Sequence, residues 1–565
     1  MDSQPLDLVA ERLGPLPLVN HLLERLGVEA HLSRFVPTTS PRCRLPYAKG
    51  LAVLLRSILT EREPIYRQQE VVDTFAPGAF GLSAAQAESL SDDQIGRSLD
   101  RLFDADRGSL LTALVVAAGE EFDLCFDELH NDSTTVRFAG QYAGARGRSV
   151  RGRKAPFITY GYSKDHRPDL KQLLFILSTT RDGGVPIQFR CEDGNRSDSR
   201  THEATWEALG RVAGRTDFLY VADSKLCNGE AMEFIDRRGG RFVTVLPRSR
   251  LEDREFREWI QTHEPEWEKV LDRRNPRRKY GPRDRWFVFR HLPSQEGWPV
   301  TWVFSPLLKL RQQQSRRERI ARAEQKLDAL ARHLTGPRPR RRPRHEIQAQ
   351  VAGILRQCRV RRYVKVTVEQ ESHHTYRQER PGRPGPDTRY VRKTKTRWRI
   401  TWSVDEEAIA YDHRSDGMYP LLTNDRKLTA AEVLLAHKRQ PMIEKRFQQT
   451  KTVLEIAPVL LKNEGRIEAL FVLYFIALMV QGLLERELRR AMKREGIKAL
   501  PLYPEERPNR RPTAEQILRL FTHLQRGILL VDGFEVRVFE PELTPLQRQV
   551  LDLLGVPASV YTGRR

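Results

Sequence analysis

Three acids stand out by context. Asp132 lies in "NDSTTV", Asp223 closes the apolar stretch "FLYVAD", and Glu444 stands in the otherwise basic and amide-rich "HKRQPMIEKRFQQTK" (437–451). A carboxylate at the end of an apolar strand loses hydration and needs a compensating partner. Taken singly, Asp132 could start an Asx turn, Asp223 could cap the following helix, and Glu444 could be a solvated charge beside Ile443 and Phe447. Taken together, two acids on neighbouring strands and one on a packed helix can converge on hard cations, which take oxygen ligands. Two such cations can clamp the attacking and leaving oxygens of a phosphodiester displacement.

The cations around these acids suit a polyanion. Glu444 and Lys451 are two helical turns apart and so share a helix face, which puts Lys451 within reach of a phosphate near the metals. His437 and Gln440 come just before, and Pro441 begins or kinks the helix. In "GYSKDHRPDLKQ" (161–172), Lys164, His166, Arg167 and Lys171 either bind DNA phosphates or flank a tight turn at Pro168 as solvated charges. "GARGRSVRGRK" (144–154) lacks the Gly-Lys-Ser/Thr of a nucleotide-binding loop and reads as a basic loop, along DNA or solvated. "RPRRRPRH" reads as a linker with non-specific phosphate contact at most.

Positioning these residues takes several elements. A chain of 565 residues exceeds one ordinary domain of ~100–200 residues. Its 39% hydrophobic and 30% charged content fits a folded protein with real cores, and its net charge of +22 points to a polyanionic partner, nucleic acid before an anionic membrane. Five scattered cysteines without CxxC pairing argue against a zinc site or a disulfide framework and for a reducing cytoplasm. The start "MDSQPLDLVAERLG" has no signal-peptide pattern. The apolar run 469–480 is shorter than the ~20 residues of a membrane span and reads as a buried helix.

Residues 1–119 read as helical, with Ser91 and Gln94 as a capping box; this is a plain bundle or a helix-turn-helix DNA-recognition bundle. From 120 to 250 the pattern is strand, hairpin about Asp182-Gly183, helix, strand, helix, strand: a mixed α/β sheet. Residues 251–400 form a basic insertion of mixed α and β character; strand and helix resume over 401–490, and 491–565 has helical pieces.

On "NDSTTVRF", "GYSKDHRPDLKQ", "GNRSD" (194–198), "VADSKL" and "HKRQPMIEKRFQQTK", the chain resembles the bacterial insertion-sequence DDE transposases with an RNase H-like catalytic domain, in particular the branch with a large insertion between the second and third acids. That family's helix motif is Tyr, two residues, Arg, three residues, Glu, six residues, Lys. Glu444 and Lys451 match it, while His437 replaces the tyrosine and Gln440 the arginine. The resemblance is specific over 120–250 and 405–465. It implies an RNase H-like mixed sheet with flanking helices, interrupted by an α+β insertion, and an N-terminal helical domain that binds DNA ends. It implies that Asp132, Asp223 and Glu444 hold two Mg²⁺ ions, with Mn²⁺ as a substitute. The implied activity is hydrolysis at the terminal inverted repeats of an insertion sequence and strand transfer into target DNA, without a covalent protein–DNA intermediate. The implied setting is a homodimer on double-stranded DNA in a synaptic complex, in the bacterial cytoplasm at the nucleoid, with no membrane. Two rival classes remain: a transposase-derived DNA-binding protein that does not cut, and an RNase H-like nuclease that does not transpose.

Overall fold

The computed structural model describes residues 6–138, 142, 147–162, 164, 167–196, 201–274, 281–335, 343–454, 461, 463–503 and 505–563. The chain forms two compact units: Met1–Thr244 with Thr423–Asp425 and Leu435–Arg565, and Val245–Leu422 with Arg426–Leu434.

The first unit holds a mixed sheet of β1 (Glu128–Phe138), β2 (Lys171–Thr180), β3 (Pro186–Glu192), β4 (Leu219–Val221) and β5 (Arg241–Val245), in the order β3-β2-β1-β4-β5. The pairs β3/β2 and β2/β1 are antiparallel; β1/β4 and β4/β5 are parallel. The hairpin β2–β3 turns at Asp182-Gly183-Gly184, where both glycines have positive φ (+92° and +62°) and so supply a backbone that side chains disfavour. The helices His202–Ala213 and Gly229–Arg237 each precede one of the parallel strands, and Trp206 packs between Phe218 and Phe234. Strand, hairpin, helix, strand, helix, strand is the order read from the sequence.

Helix Glu464–Arg494 carries the apolar run and is the centre of this unit's core. It is long and apolar enough to cross a bilayer, and 89% of that window is buried. It packs on strand β3 and on helices Tyr47–Thr60, Asp92–Asp104 and Pro545–Leu554. Phe471 meets Phe175 edge-on, and Phe475 stacks on Phe189.

Two local expectations change. Ser91 does cap Asp92–Asp104 through Gln94 N, but the reciprocal half is missing: Gln94 Oε1 accepts from Arg97 at 2.8 and 3.1 Å, and Nε2 donates to Leu45 O at 2.8 Å. The ends of the chain, read as helical, also contain strands: Leu6–Arg12 pairs antiparallel with Gln525–Val531, which pairs with Phe534–Phe539. Leu6–Arg12 and its partner are separated by most of the chain, so no local pattern reveals the pairing.

In the second unit, β6 (Glu268–Arg273), β7 (Asp284–Arg290), β8 (Val300–Phe304) and β11 (Met418–Thr423) pair antiparallel in sequence order. Helices Pro306–Thr335 and Arg344–Cys358 share an apolar core with the base of a long two-stranded ribbon, β9 (Val364–Gln378) and β10 (Tyr390–Val404). Most of the arginine-rich linker, 336–342, lies outside the described residues.

Candidate active site

Strands β1 and β4 bring two of the acids side by side. Their parallel register is Glu128↔Leu219, Leu129↔Tyr220 and His130↔Val221, and two residues beyond the last pair stand Asp132 and Asp223. Neighbouring strands run about 4.8 Å apart, so the two carboxylates leave the sheet at one level. Tyr220, fully buried just before Asp223, senses both. Burial first, then the charges of Asp223 and Asp132, holds its phenol well above its ordinary range, against Arg190. Its hydroxyl lies 3.0 Å from His202 Nδ1.

Each acid keeps local bonds without being enclosed. Asp132 Oδ1 accepts from Ser133 N at 2.7 Å, and its side chain is 22% exposed. Asp223 Oδ1 accepts from Lys225 N at 3.0 Å within a turn, and its carbonyl accepts from Thr244 Oγ1 at 2.6 Å; it does not cap the following helix, Gly229–Arg237, whose cap is Asn228. Lys164 comes in beside Asp132: Nζ donates to Ser133 O at 2.7 Å and lies 4.0 Å from Asp132 Oδ1.

Alternation puts Glu128, His130 and Asp132 on one face of β1. The first two meet the end of helix Ala430–Arg439, which leads into the helix that contains Glu444. Glu128 is 4% exposed and accepts from His130 Nε2 at 2.9 Å and from Arg439 Nε and Nη2 at 2.6 Å each. Burial alone would raise its pKa, but the hydrogen bonds and charges of His130 and Arg439 prevail and bring it down to about 2. His437 is pushed down to about 4, by burial first and then by Lys438 and His130, against a hydrogen bond with Gln440. It is therefore a neutral imidazole at neutral pH.

Pro441 begins the second of two helices, Ala430–Arg439 and Pro441–Gln448, and Gln440 stands at the N-cap position of the second without a side-chain capping bond. The second helix is then tied down by Arg446, which is 2% exposed: Nε donates to Gly184 O, Nη2 to Gly183 O and Nη1 to Glu485. These anchors step from His130 to Glu128 to the hairpin turn, so the helix runs away from Asp132. Glu444 lies between Arg439 and Arg446 and is exposed. From Gln449 to Val453 the helix widens to π geometry, so the seven residues from Glu444 to Lys451 do not keep regular α-helical spacing.

The structure thus gathers Asp132, Asp223 and Lys164, and sets His437 and Gln440 one helical segment before Glu444. Arg167 is engaged by Asp169 through two bonds of 2.8 and 2.7 Å, and Lys171 Nζ reaches Tyr142 O at 3.4 Å and lies 6.0 Å from the ring of Tyr160. His166 lies outside the described residues, as does Asp198 of "GNRSD". The paired carboxylates are oxygen donors of the kind a divalent cation takes. Glu444 does not join them: among the described residues no three His, Cys, Asp or Glu side chains form a metal-sized group.

Sequence reasoning missed Glu128 with Arg439, and His202 with Tyr220. The signal for the first was available, since an acid inside a buried strand requires a cation; which cation was not.

A family model described as a domain of unknown function, DUF4277, matches residues 8–116. No curated protein matches the chain significantly. Among solved structures, the chain is similar to a piggyBac transposase seen by cryo-EM in a synaptic complex with hairpin DNA, at 10% identity and a TM-score of 0.27. The match covers 51% of this chain and 60% of that one.

Proposed function

We propose that the protein is a DNA transposase of the DDE type, which binds the terminal inverted repeats of an insertion sequence, cuts at their ends and joins them to target DNA. The observation that carries the reading is the level placement of Asp132, within β1, and Asp223, two residues past the end of the adjacent parallel β4, with Lys164 beside Asp132, in a chain of net charge +22. Asp132 and Asp223 would hold the divalent metal, Mg²⁺ or Mn²⁺, which when bound supplies Lewis-acid activation of water and of the phosphate oxygens. Glu444 is assigned the third place on its match to the family's helix motif alone, since among the described residues it forms no metal-sized group with the two acids.

The chain's own groups supply the rest. Lys164 offers a positive charge at the edge of the acid pair, where a phosphate oxygen would otherwise meet only carboxylates. Arg439 and Glu128 fix the helical segment to β1, and Lys451, Lys171 and Arg167 supply cations for the DNA backbone. His437 and Gln440 act as hydrogen-bonding groups, since a neutral imidazole and an amide add no charge. The active form on DNA is a homodimer that holds two ends, working in the bacterial cytoplasm at the nucleoid.

The test is strand transfer. The purified protein is incubated with Mg²⁺, a target plasmid and DNA that carries the gene's own flanks. Joined products support the reading. Cuts without joining indicate a nuclease, and bound, uncut DNA indicates a DNA-binding protein derived from a transposase.

A further inference from the structure

Ribbon β9–β10 is anchored at one end only. Val364, Val368 and Ile400 are buried in the second unit's core, and Trp398 and Trp402 pack against it. Beyond them the two strands stay paired without a break to Gln378↔Tyr390, a length of about 50 Å for fifteen residues at ~3.4 Å each. The outer part buries almost nothing: Tyr376 is 65% and Tyr390 53% exposed. A two-stranded ribbon with no apolar cover is marginal alone, so its outer half is retained at a cost in stability.

Its charge says what that half faces. Residues 372–397 hold eight lysines and arginines against two acids. By the register, Lys393 and Lys395 lie on one face, opposite Thr375 and His373, while Arg392 lies on the other face opposite Tyr376, with Nη2 3.2 Å from His374 Nε2. Cations on both faces do not suit a flat anionic membrane, which meets one face. They suit a groove with a phosphate wall on each side, and a two-stranded ribbon fits the major groove of duplex DNA. The strand's rise of ~3.4 Å per residue also matches the ~3.4 Å per nucleotide of each DNA strand, so alternate cations keep step with the backbone.

We propose that ribbon β9–β10 is an arm that lies in a groove of duplex DNA and grips the phosphates on both sides, independently of base sequence. The inference rests on the nucleic-acid reading of the protein and adds to it a surface remote in sequence from the acids.

The test uses the full chain, a random-sequence duplex and a salt series, with Arg392→Ser/Lys393→Ser/Lys395→Ser beside the charge-conserving Arg392→Lys/Lys393→Arg/Lys395→Arg. All three positions are exposed. Loss of three phosphate contacts lowers the slope of log affinity on log salt by about 2.7, and the charge-conserving variant restores it. An unchanged slope in the serine variant overturns the proposal. So does loss of binding to phosphatidylserine vesicles with DNA binding intact, which assigns the arm to a membrane. Cleavage of flank DNA is scored separately: native DNA binding and cutting with a silent ribbon remove only this inference, whereas a native protein without affinity for DNA removes both.

Discussion

Arg439 closes on Glu128 with both ends of its guanidinium, Nε to Oε1 and Nη2 to Oε2, each at 2.6 Å. The pair joins residues 311 apart and ties the segment that leads to Glu444 to the strand that carries Asp132. Glu128 is otherwise enclosed, so the arginine is what makes its charge tolerable there.

Arg439→Ala leaves that carboxylate buried with His130 at 2.9 Å and the half-exposed Arg181 at 3.8 Å beside it. Removing one partner of a buried pair costs about 3–5 kcal/mol, and partial exposure of Arg439 (30%) lowers this to about 2–4. Urea unfolding should show that loss, and cleavage should fall with it because the Glu444 segment is released from β1. A loss under about 0.5 kcal/mol would mean that the pair is ornamental.

Acid should weaken the first unit in two stages. His437 has a folded pKa of about 4 against 6.5 unfolded, so the unfolded chain binds more protons in between. The contribution is complete above 6.5 and is lost as pH falls toward 4. Glu128, at about 2 against 4.5, contributes fully above 4.5 and loses its part as pH falls toward 2. Thermal midpoints across pH should therefore fall from 6.5 downward, and His437→Gln should remove the upper stage while leaving the lower one. Parallel native and variant curves above pH 4.5 would refute the assignment.

The hairpin turn should tolerate no side chain at its first glycine. A Cβ at Gly183 would stand 2.9 Å from Arg486 Cβ at a φ of +92°, whereas one at Gly184 would meet Met442 Cβ at 3.2 Å with a φ of +62°. Gly183→Ala should cost about 2–3 kcal/mol and Gly184→Ala about 1–2, since only the second backbone falls in the left-handed region open to alanine. Equal thermal shifts would contradict this ranking.

Much of the sheet was legible because its signals are local. Alternation, the Asp-Gly-Gly turn and the apolar "FLYVAD" fix β1 to β4 from a few residues each, and a charged end on a buried strand marks Asp223. What stayed hidden depends on distant partners. Leu6–Arg12 becomes a strand only against Gln525–Val531, and the Gln94 side chain turns to Arg97 and Leu45 instead of completing the capping box. The π turn at Gln449–Val453 is likewise not marked by the Glu-to-Lys spacing.

The central claim is that Asp132 and Asp223 act together on a phosphodiester. The most direct test is cleavage of labelled DNA carrying the gene's own flanks, with and without Mg²⁺, by the native protein, Asp132→Asn, Asp223→Asn and Glu444→Gln. The account predicts metal-dependent cuts at a defined end by the native protein, reduced about a hundredfold or more in each variant, with DNA binding retained. Cutting that persists in Asp132→Asn and Asp223→Asn, or tight binding without cutting by all four proteins under every metal condition, would contradict it.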